Sequence, residues 1–339
     1  MVKDQVLEVL RNAKDQYCSG ESIANTLGVS RNAIWKSIQA LRKDGYEILS
    51  STNRGYCLMK EGDQLDAGQI LSTLQKSHPS LEAPSISIYS CLSSTNQEAI
   101  RLANEGAQSG TIVLADMQEH GRGHHAHAFH SPSGGIYMSV LLRPETLHLP
   151  SADLPLLTAF AAVCVAESIQ EQTGFSTSIK WVNDLFLQDR KVCGILTEVG
   201  SDFESGDISY LVIGIGINFS TKSEDFHPSL RDLATSLYPS GEPAVTRNQL
   251  IASILGRLLP KEMETPLFLR APLLASYRQR LYEKNQVVTV VARDGSQFQG
   301  TLVDVDDSCK AIVKKEDGTM STLSFGHYKL LHNMSNKRS

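Results

Sequence analysis

Nowhere in its 339 residues does this sequence hold an apolar run approaching the roughly 18 residues that a membrane span needs. No membrane association is expected. Nor does the N-terminus, Met1-Val2-Lys3-Asp4-Gln5, carry the basic, apolar and small-residue blocks of a signal peptide; it passes straight into an amphipathic pattern. Six cysteines (Cys18, Cys57, Cys91, Cys164, Cys193, Cys309) contain no C-x-x-C pair and have mostly apolar neighbours. A disulfide framework and a zinc site are both disfavoured, and reduced thiols in the cytoplasm are expected. The phosphate-binding Walker A pattern is missing. Gly214-Ile215-Gly216 lacks the third glycine and following helix of a dinucleotide fingerprint. A net charge of -5 gives no whole-chain nucleic-acid signature.

What is present is a soluble composition, 41% hydrophobic and 20% charged, long enough for two or three domains. Charge is unevenly spread. Residues 1–60 hold nine Lys/Arg against six Asp/Glu, so the head is basic and the remainder acidic. Val6, Leu7, Val9 and Leu10 form a helical stripe, and Glu21 to Leu27 a second short helix. Gly28-Val29 makes a tight turn, after which Ser30 caps a helix carrying Ile34, Ile38 and Leu41 on one side. On its other side stand Arg31, Asn32, Lys36, Ser37 and Gln39. Two short strands, Gly45 to Leu49 and Gly55 to Leu58, follow around a polar turn ending at Arg54. This is the plan of a winged helix-turn-helix, with Ser30, Arg31, Asn32, Lys36, Ser37 and Arg54 as candidate DNA contacts. The competing reading is a plain three-helix bundle with a solvated polar face; the coincidence of turn, cap and basic wing tip favours DNA. Residues 61–85 read as a linker with one short helical pattern from Asp66.

From Ile86 short apolar strands alternate with helices, the pattern of an α/β or α+β domain on a mixed sheet. Strands are expected at Ile86 to Cys91, Thr111 to Ala115, Ile136 to Leu142, Thr177 to Trp181, Asp184 to Leu187 and Val192 to Val199, the last two joined by a turn over 188–191. Ser94-Thr95-Asn96-Gln97 reads as a capping box opening a helix, and Leu154 to Ile169 as a long apolar helix. Tyr210 to Phe219 reads as a central strand whose glycines admit a close neighbour. Gly121 and Gly123 flank Arg122, so this loop can offer backbone donors and a fixed cation to an anion. Such a loop is more often only a turn. Five histidines between His120 and His130 raise a metal site, but no carboxylate or cysteine completes a recognisable ligand spacing.

Taken in order, Ser94-Thr95-Asn96-Gln97, Gln118 with Gly121-Arg122-Gly123, Ser131-Pro132, Lys180-Trp181-x-Asn183-Asp184, Arg190-Lys191-x-x-Gly194-Ile195-Leu196 and Gly214-Ile215-Gly216-Ile217-Asn218 resemble the motif series of biotin protein ligases. The resemblance runs from about Val6 to Leu330. The fused head is similar to that of the bifunctional ligases that double as biotin operon repressors. It implies an ATP-dependent, AMP-forming biotin–[biotin carboxyl-carrier protein] ligase that makes biotinyl-5'-adenylate and transfers biotin to a lysine of an acetyl-CoA carboxylase subunit. It implies operator DNA as a second partner, and a homodimer when the adenylate is bound.

By that resemblance Ser94, Thr95, Asn96, Gln118, Gly121, Arg122, Gly123, His124, Lys191 and Gly194 surround biotin. Arg122, Phe129, Lys180, Asn183, Asp184 and Asn218 serve ATP, with Asp184 on the side of a Mg2+ ion. Lys191, Arg122 and Lys180 would be the catalytic cations. Without the motifs, Lys180 and Lys191 would read as solvated lysines on a strand end and a turn. The chain departs from the family where arginines, a small residue and a tryptophan usually follow the glycine loop: it has His124, His125, Ala126, His127 and Phe129. Phe129 can stack on adenine as the tryptophan would, whereas histidine is only partly charged near neutral pH and weakens a phosphate grip. Proline is usual where Val182 stands.

Near the C-terminus helices are expected from Thr246 to Leu259 and from Leu273 to Leu281. Four strands follow (Val287 to Val291, Thr301 to Val305, Ala311 to Lys314, Thr319 to Phe325), with turns at Asp294-Gly295 and Asp317-Gly318, which suggests a small SH3-like barrel. The expected organisation is an α+β chain: a winged helix-turn-helix at 1–60, a linker at 61–85, a mixed-sheet ligase domain of the biotin/lipoate ligase type at 86–284 and an SH3-like domain at 285–333. Two other readings stay open: a biotin-sensing repressor with weak or lost ligase activity, and a relative of the lipoate ligases.

Overall fold

In the head, apolar residues spaced three and four apart wind three helices, α1 (Val2–Asn12), α2 (Gly20–Leu27) and α3 (Arg31–Lys43), around one core. Val6, Leu10, Ile23, Ile34, Ile38 and Leu41 meet there. The Ser19 hydroxyl accepts the Ser22 amide at the start of α2, and Gly28 ends it in the left-handed conformation at φ 66°, its N–H returning to the Ala24 carbonyl. Ser30 caps α3 by accepting the Ala33 amide at 3.2 Å. Strands β1 (Glu47–Ser51) and β2 (Gly55–Lys60) form the antiparallel wing, and Arg42 pins it to α3 through the Ile48 carbonyl and Ser50 hydroxyl.

This computed structural model describes residues 2–13, 16–43, 45–60, 62–124, 128–143, 154–201, 207–259 and 266–332. His125, Ala126 and His127 lie outside them. The chain falls into two units, Met1–Asp66 with Thr246–Asn248, and Ala67–Val245 with Gln249–Ser339. The stretch read as a linker carries a helix, α4 (Ala67–Ser77), whose Ile70 and Leu74 are buried. No helix among the described residues is long and apolar enough to cross a membrane.

The second unit is built on a seven-stranded mixed sheet. Its strands β3 (Ile86–Tyr89), β4 (Thr111–Ala115), β5 (Ile136–Leu142), β6 (Ser178–Lys180), β7 (Asp184–Leu187), β8 (Arg190–Ser201) and β9 (Ile208–Ile217) lie in the order β3-β4-β5-β9-β8-β7-β6. Only β3 and β4 pair in parallel. The mixed sheet and the central place of β9 agree with the pattern of the sequence. Helix α5 (Thr95–Asn104) packs Ala99 and Ala103 against Val113, Leu141 and Val212. Helix α6 (Leu154–Thr173) lies against β6, β7 and β8. Two expectations are corrected. Gln188 and Asp189 take the positive φ values of a tight turn, 50° and 62°, so the turn is complete before residue 190 and Lys191 stands on β8. Ser94 makes no side-chain cap on α5; the Thr95 amide is taken instead by Gln118 Oε1 at 2.8 Å.

Helices α7 (Arg247–Leu258) and α8 (Pro266–Gln279) precede a C-terminal antiparallel sheet of five strands, β10 (Val287–Ala292), β11 (Gln297–Val305), β12 (Ala311–Lys315), β13 (Met320–Leu323) and β14 (Tyr328–His332), in the order β13-β12-β11-β10-β14. Strand β14 is not among the expected strands. Specific bonds join the C-terminal sheet to the rest of this unit: Trp181 Nε1, just past β6, donates to the Cys309 carbonyl at 2.8 Å, and Arg278 of α8 donates to the Val305 carbonyl and the Asp307 carboxylate.

Candidate active site

A cavity of about 310 Å3 opens between the mixed sheet and the C-terminal sheet. Its floor exists because two positions of β9 carry no side chain. A Cβ on Gly214 would lie 2.1 Å from Asn96 Oδ1, and one on Gly216 would lie 2.6 Å from the Phe129 ring. Glycine there admits the N-terminal turn of α5 on one side and the glycine loop's aromatic on the other.

At the α5 end the polar groups interlock. Ser139 Oγ bonds to Asn96 Oδ1 at 2.6 Å and to Thr95 Oγ1 at 2.8 Å. Gln118 accepts from Thr95 through Oε1 and donates to Ser131 Oγ through Nε2 at 2.9 Å. Ser94, Thr95, Asn96 and Gln118 all line the cavity. Buried polar groups held this way present donors and acceptors at fixed places.

At the other end stand cations. Lys191 Nζ is 2.8 Å from Asp184 Oδ1 and 5.9 Å from the Phe129 ring centre. Arg122 Nη1 is 3.1 Å from Glu198 Oε1, both partly exposed. Lys180 Nζ sits 5.6 Å from the centre of the Phe186 ring. Asn183 is fixed by reciprocal bonds to Ile195, donating from Nδ2 to its carbonyl while accepting its amide on the main chain. Arg122 and Ala128 pair as an antiparallel stem of the glycine loop, and the Phe129 amide returns to the Gly121 carbonyl. His124 packs edge-on against Phe325 with ring centres 4.7 Å apart. Burial pushes the Cys193 thiol far above its ordinary range, so it stays protonated and is no nucleophile.

Most of the residues singled out in the sequence for biotin and ATP line this one cavity. Two do not. Gly121 closes the loop's base, where a Cβ would meet the Phe129 carbonyl at 2.3 Å. Asn218 donates to the Thr235 and Lys191 carbonyls, bracing the start of β8 rather than facing the cavity. In the head, Ser30, Arg31, Asn32, Lys36 and Arg54 are exposed, Arg54 with its guanidinium 4.3 Å from the Tyr17 ring centre. Ser37 is only 8% exposed and is corrected as a DNA contact: it falls on the flank of the apolar stripe. Trp35, 52% exposed, takes the outward place instead.

Some cavity neighbours lie outside the motifs. Ser139 and Glu198 carry a signal, Ser139 as a small polar residue inside the apolar β5 and Glu198 as the one charged residue between Val192 and Val199. Phe325, Tyr328 and Lys329, which line the cavity from the C-terminal sheet, carry none in the local pattern. Among the described residues no group of three metal-ligating side chains forms.

Residues 88–218, which carry all of these motifs except the head and the C-terminal wall, match the model of the biotin/lipoate A/B protein ligase family, and residues 2–57 match an HTH domain. A Bacillus subtilis (strain 168) protein, bifunctional ligase/repressor BirA, is 37% identical over 255 residues, 75% of this chain and 76% of the relative. The chain belongs to the bifunctional ligase/repressor family. The family's Escherichia coli (strain K12) protein, again named bifunctional ligase/repressor BirA, is 35% identical over 211 residues, 62% of each chain. In fold, the chain resembles the biotin protein ligase from Aquifex aeolicus in complex with biotin and ATP, at a TM-score of 0.62 and 24% identity over 74% of this chain and 99% of that one. The head that accompanies the ligase domain here is thus the family's own.

Proposed function

We infer that this protein is a biotin protein ligase that also represses transcription: it activates biotin with ATP, transfers it to a carrier-protein lysine, and binds an operator through its head. One observation carries the reading: a fixed polar pocket of Thr95, Asn96 and Gln118 shares a single cavity with the cations Arg122, Lys180 and Lys191. The polar end suits a small neutral ring rich in donors and acceptors. The cations suit the reaction, in which a biotin carboxylate oxygen attacks the α-phosphorus, the bond to the β-phosphate breaks and pyrophosphate leaves. Arg122 and Lys191 would lower the repulsion between the two anions. The acceptor lysine's amine then attacks the activated carbonyl carbon, and AMP departs with the bonding pair.

Asp184 is the sole carboxylate among the described lining residues, and it is paired with Lys191. One carboxylate fits a magnesium ion that arrives on the nucleotide's phosphates rather than in a protein cage. Phe129, lying across Gly194 and Gly216, is the aromatic surface for adenine. The six unpaired cysteines suit a reducing cytoplasm.

Incubation with biotin, ATP, magnesium and a biotin carboxyl carrier domain should add biotin to one carrier lysine, read by mass. Lipoate in place of biotin should give no product; the reverse preference would make the chain a lipoate ligase. Pyrophosphate release without transfer to the carrier would contradict the ligase reading. For the repressor half, biotin with ATP should promote a homodimer and tighten binding to a palindromic operator whose half-sites lie about one helical turn, or a multiple, apart. Unchanged sedimentation and gel shifts with and without ligand would sink it. Arg31→Ala should weaken operator binding and reduce the salt slope by about one, with Ser37→Ala close to wild type.

A further inference from the structure

Glu198 belongs to none of the motifs, yet it joins the two ends of the cavity. It stands on β8, which is otherwise largely apolar from Val192 to Val199. Its Oε2 accepts from Asn96 Nδ2 at 2.8 Å, and its Oε1 faces Arg122 Nη1 at 3.1 Å. A carboxylate beside a site for anions is costly unless it is put to use, because it repels the ligand it would help to hold.

That use follows from proton directions. An asparagine amide can be turned end for end at little steric cost, and a serine hydroxyl accepts either end, donating to the oxygen or accepting from the nitrogen. Ser139 therefore cannot decide which way Asn96 points. An ionised carboxylate only accepts, so Glu198 at 2.8 Å, with the Leu196 carbonyl more distantly at 3.4 Å, draws the Asn96 nitrogen toward itself and leaves the oxygen toward Ser139. Ser139 has one proton, which then goes to the Asn96 oxygen at 2.6 Å, the shorter of its two contacts. The donor and acceptor directions of Asn96, which lines the cavity, and of Ser139 behind it are thus set chiefly by this charge.

We propose that Glu198 is a positioning residue that fixes the donor and acceptor pattern offered to the biotin ring and, through its second oxygen, aims Arg122 at the reacting carboxylate. The Arg122 pair is half solvated, with side chains 46% and 21% exposed, so it is weak enough for an incoming anion to share the guanidinium. A guanidinium has donors for both partners. This inference rests on the biotin reading of the cavity.

Glu198→Gln tests it, because a neutral amide has one accepting end for two donors and must lose either Asn96 or Arg122. The measurement is the biotin dissociation constant of the full-length protein without ATP, beside that of 2-iminobiotin, in which an N–H replaces the ureido oxygen. Glu198→Gln should weaken biotin binding by about tenfold or more and shrink the preference for biotin over 2-iminobiotin at least about fivefold, the scale on which unmatched buried polar groups act. The loss of preference for biotin over 2-iminobiotin should largely vanish in an Asn96→Ala background, whereas affinity lost through Arg122 should remain. A dissociation constant and preference within about twofold of wild type, or a preference that shrinks equally with and without Asn96, would overturn the proposal. Should Glu198→Gln not fold, Glu198→Ala, which removes the acceptor altogether, carries the same expectations and the same overturning results in the same assay. If Asn96→Ala and Arg122→Ala themselves leave biotin binding unchanged, the biotin reading of the cavity fails; if they weaken it and Glu198→Gln does not, only the role of Glu198 fails.

Discussion

The two ends of the cavity solve opposite problems. Around the buried Thr95 and Asn96 and the half-buried Gln118 the polar side chains are already engaged, so a ligand meets a surface that needs no rearrangement. Around Lys191 and Arg122 the charges are half-exposed and parked on Asp184 and Glu198, so an arriving anion must displace or share those partners. With the two ends assigned as proposed, the contrast teaches that recognition of the ring would be built into the fold, whereas the grip on carboxylate and phosphate would be assembled when they arrive. Pre-formed groups act mostly on affinity, and groups that strengthen only as charge develops act mostly on rate.

Three substitutions probe that division. Lys191→Ala should have the largest effect: adenylate formation falls by about two orders of magnitude, with biotin affinity measured without ATP changed only a few-fold. Single-turnover pyrophosphate release beside calorimetric biotin binding reads both. A rate near wild type would remove Lys191 from the chemistry, and an equal loss in both quantities would erase the distinction between the ends.

Gly214→Ala strikes the other end. The added Cβ would stand 2.1 Å from Asn96 Oδ1, so Asn96 and its string must move. Biotin affinity should drop by roughly tenfold or more and stability by about 1–3 kcal/mol, the usual cost of overpacking. Unaltered biotin binding in a folded variant would show that Asn96 is not part of the recognition surface.

His124→Arg should have the smallest effect, and a favourable one. Arginine can keep a contact with the Phe325 face while adding a permanent charge at the cavity edge. Dissociation of biotinyl-adenylate should slow by several-fold to about tenfold, followed by a chase with unlabelled biotin and ATP. An unchanged rate would leave the loop's hold on the adenylate to Arg122 and the backbone.

Much of this architecture is legible in the amino-acid sequence. Helical and strand periods give the head's three helices and the central strands, because each of those elements buries one stripe or one face. The glycines of β9 read as openings, and Asn96 and Phe129 fill them. Other features are hidden for identifiable reasons. Ser37 shares the polar character of its neighbours, but the angle it takes on α3 turns it inward, which composition does not encode. Residue 191 reads as part of a turn because the local letters Gln188-Asp189-Arg190-Lys191 are all polar; two positive φ values finish the turn early. Phe325 and Tyr328 reach the cavity only by the packing of one sheet on another, a long-range event that leaves no local periodicity.

The late position of that wall has a consequence for synthesis. A ribosome releases the head before the mixed sheet and the strand bearing Tyr328 and Lys329 after both, and domains begin to fold as they emerge. The nascent chain can thus complete its helix-turn-helix long before the pocket has its final side. A chain that has not yet released this strand holds no finished pocket, so the first biotin that this protein activates must wait for residues 328–330 to emerge.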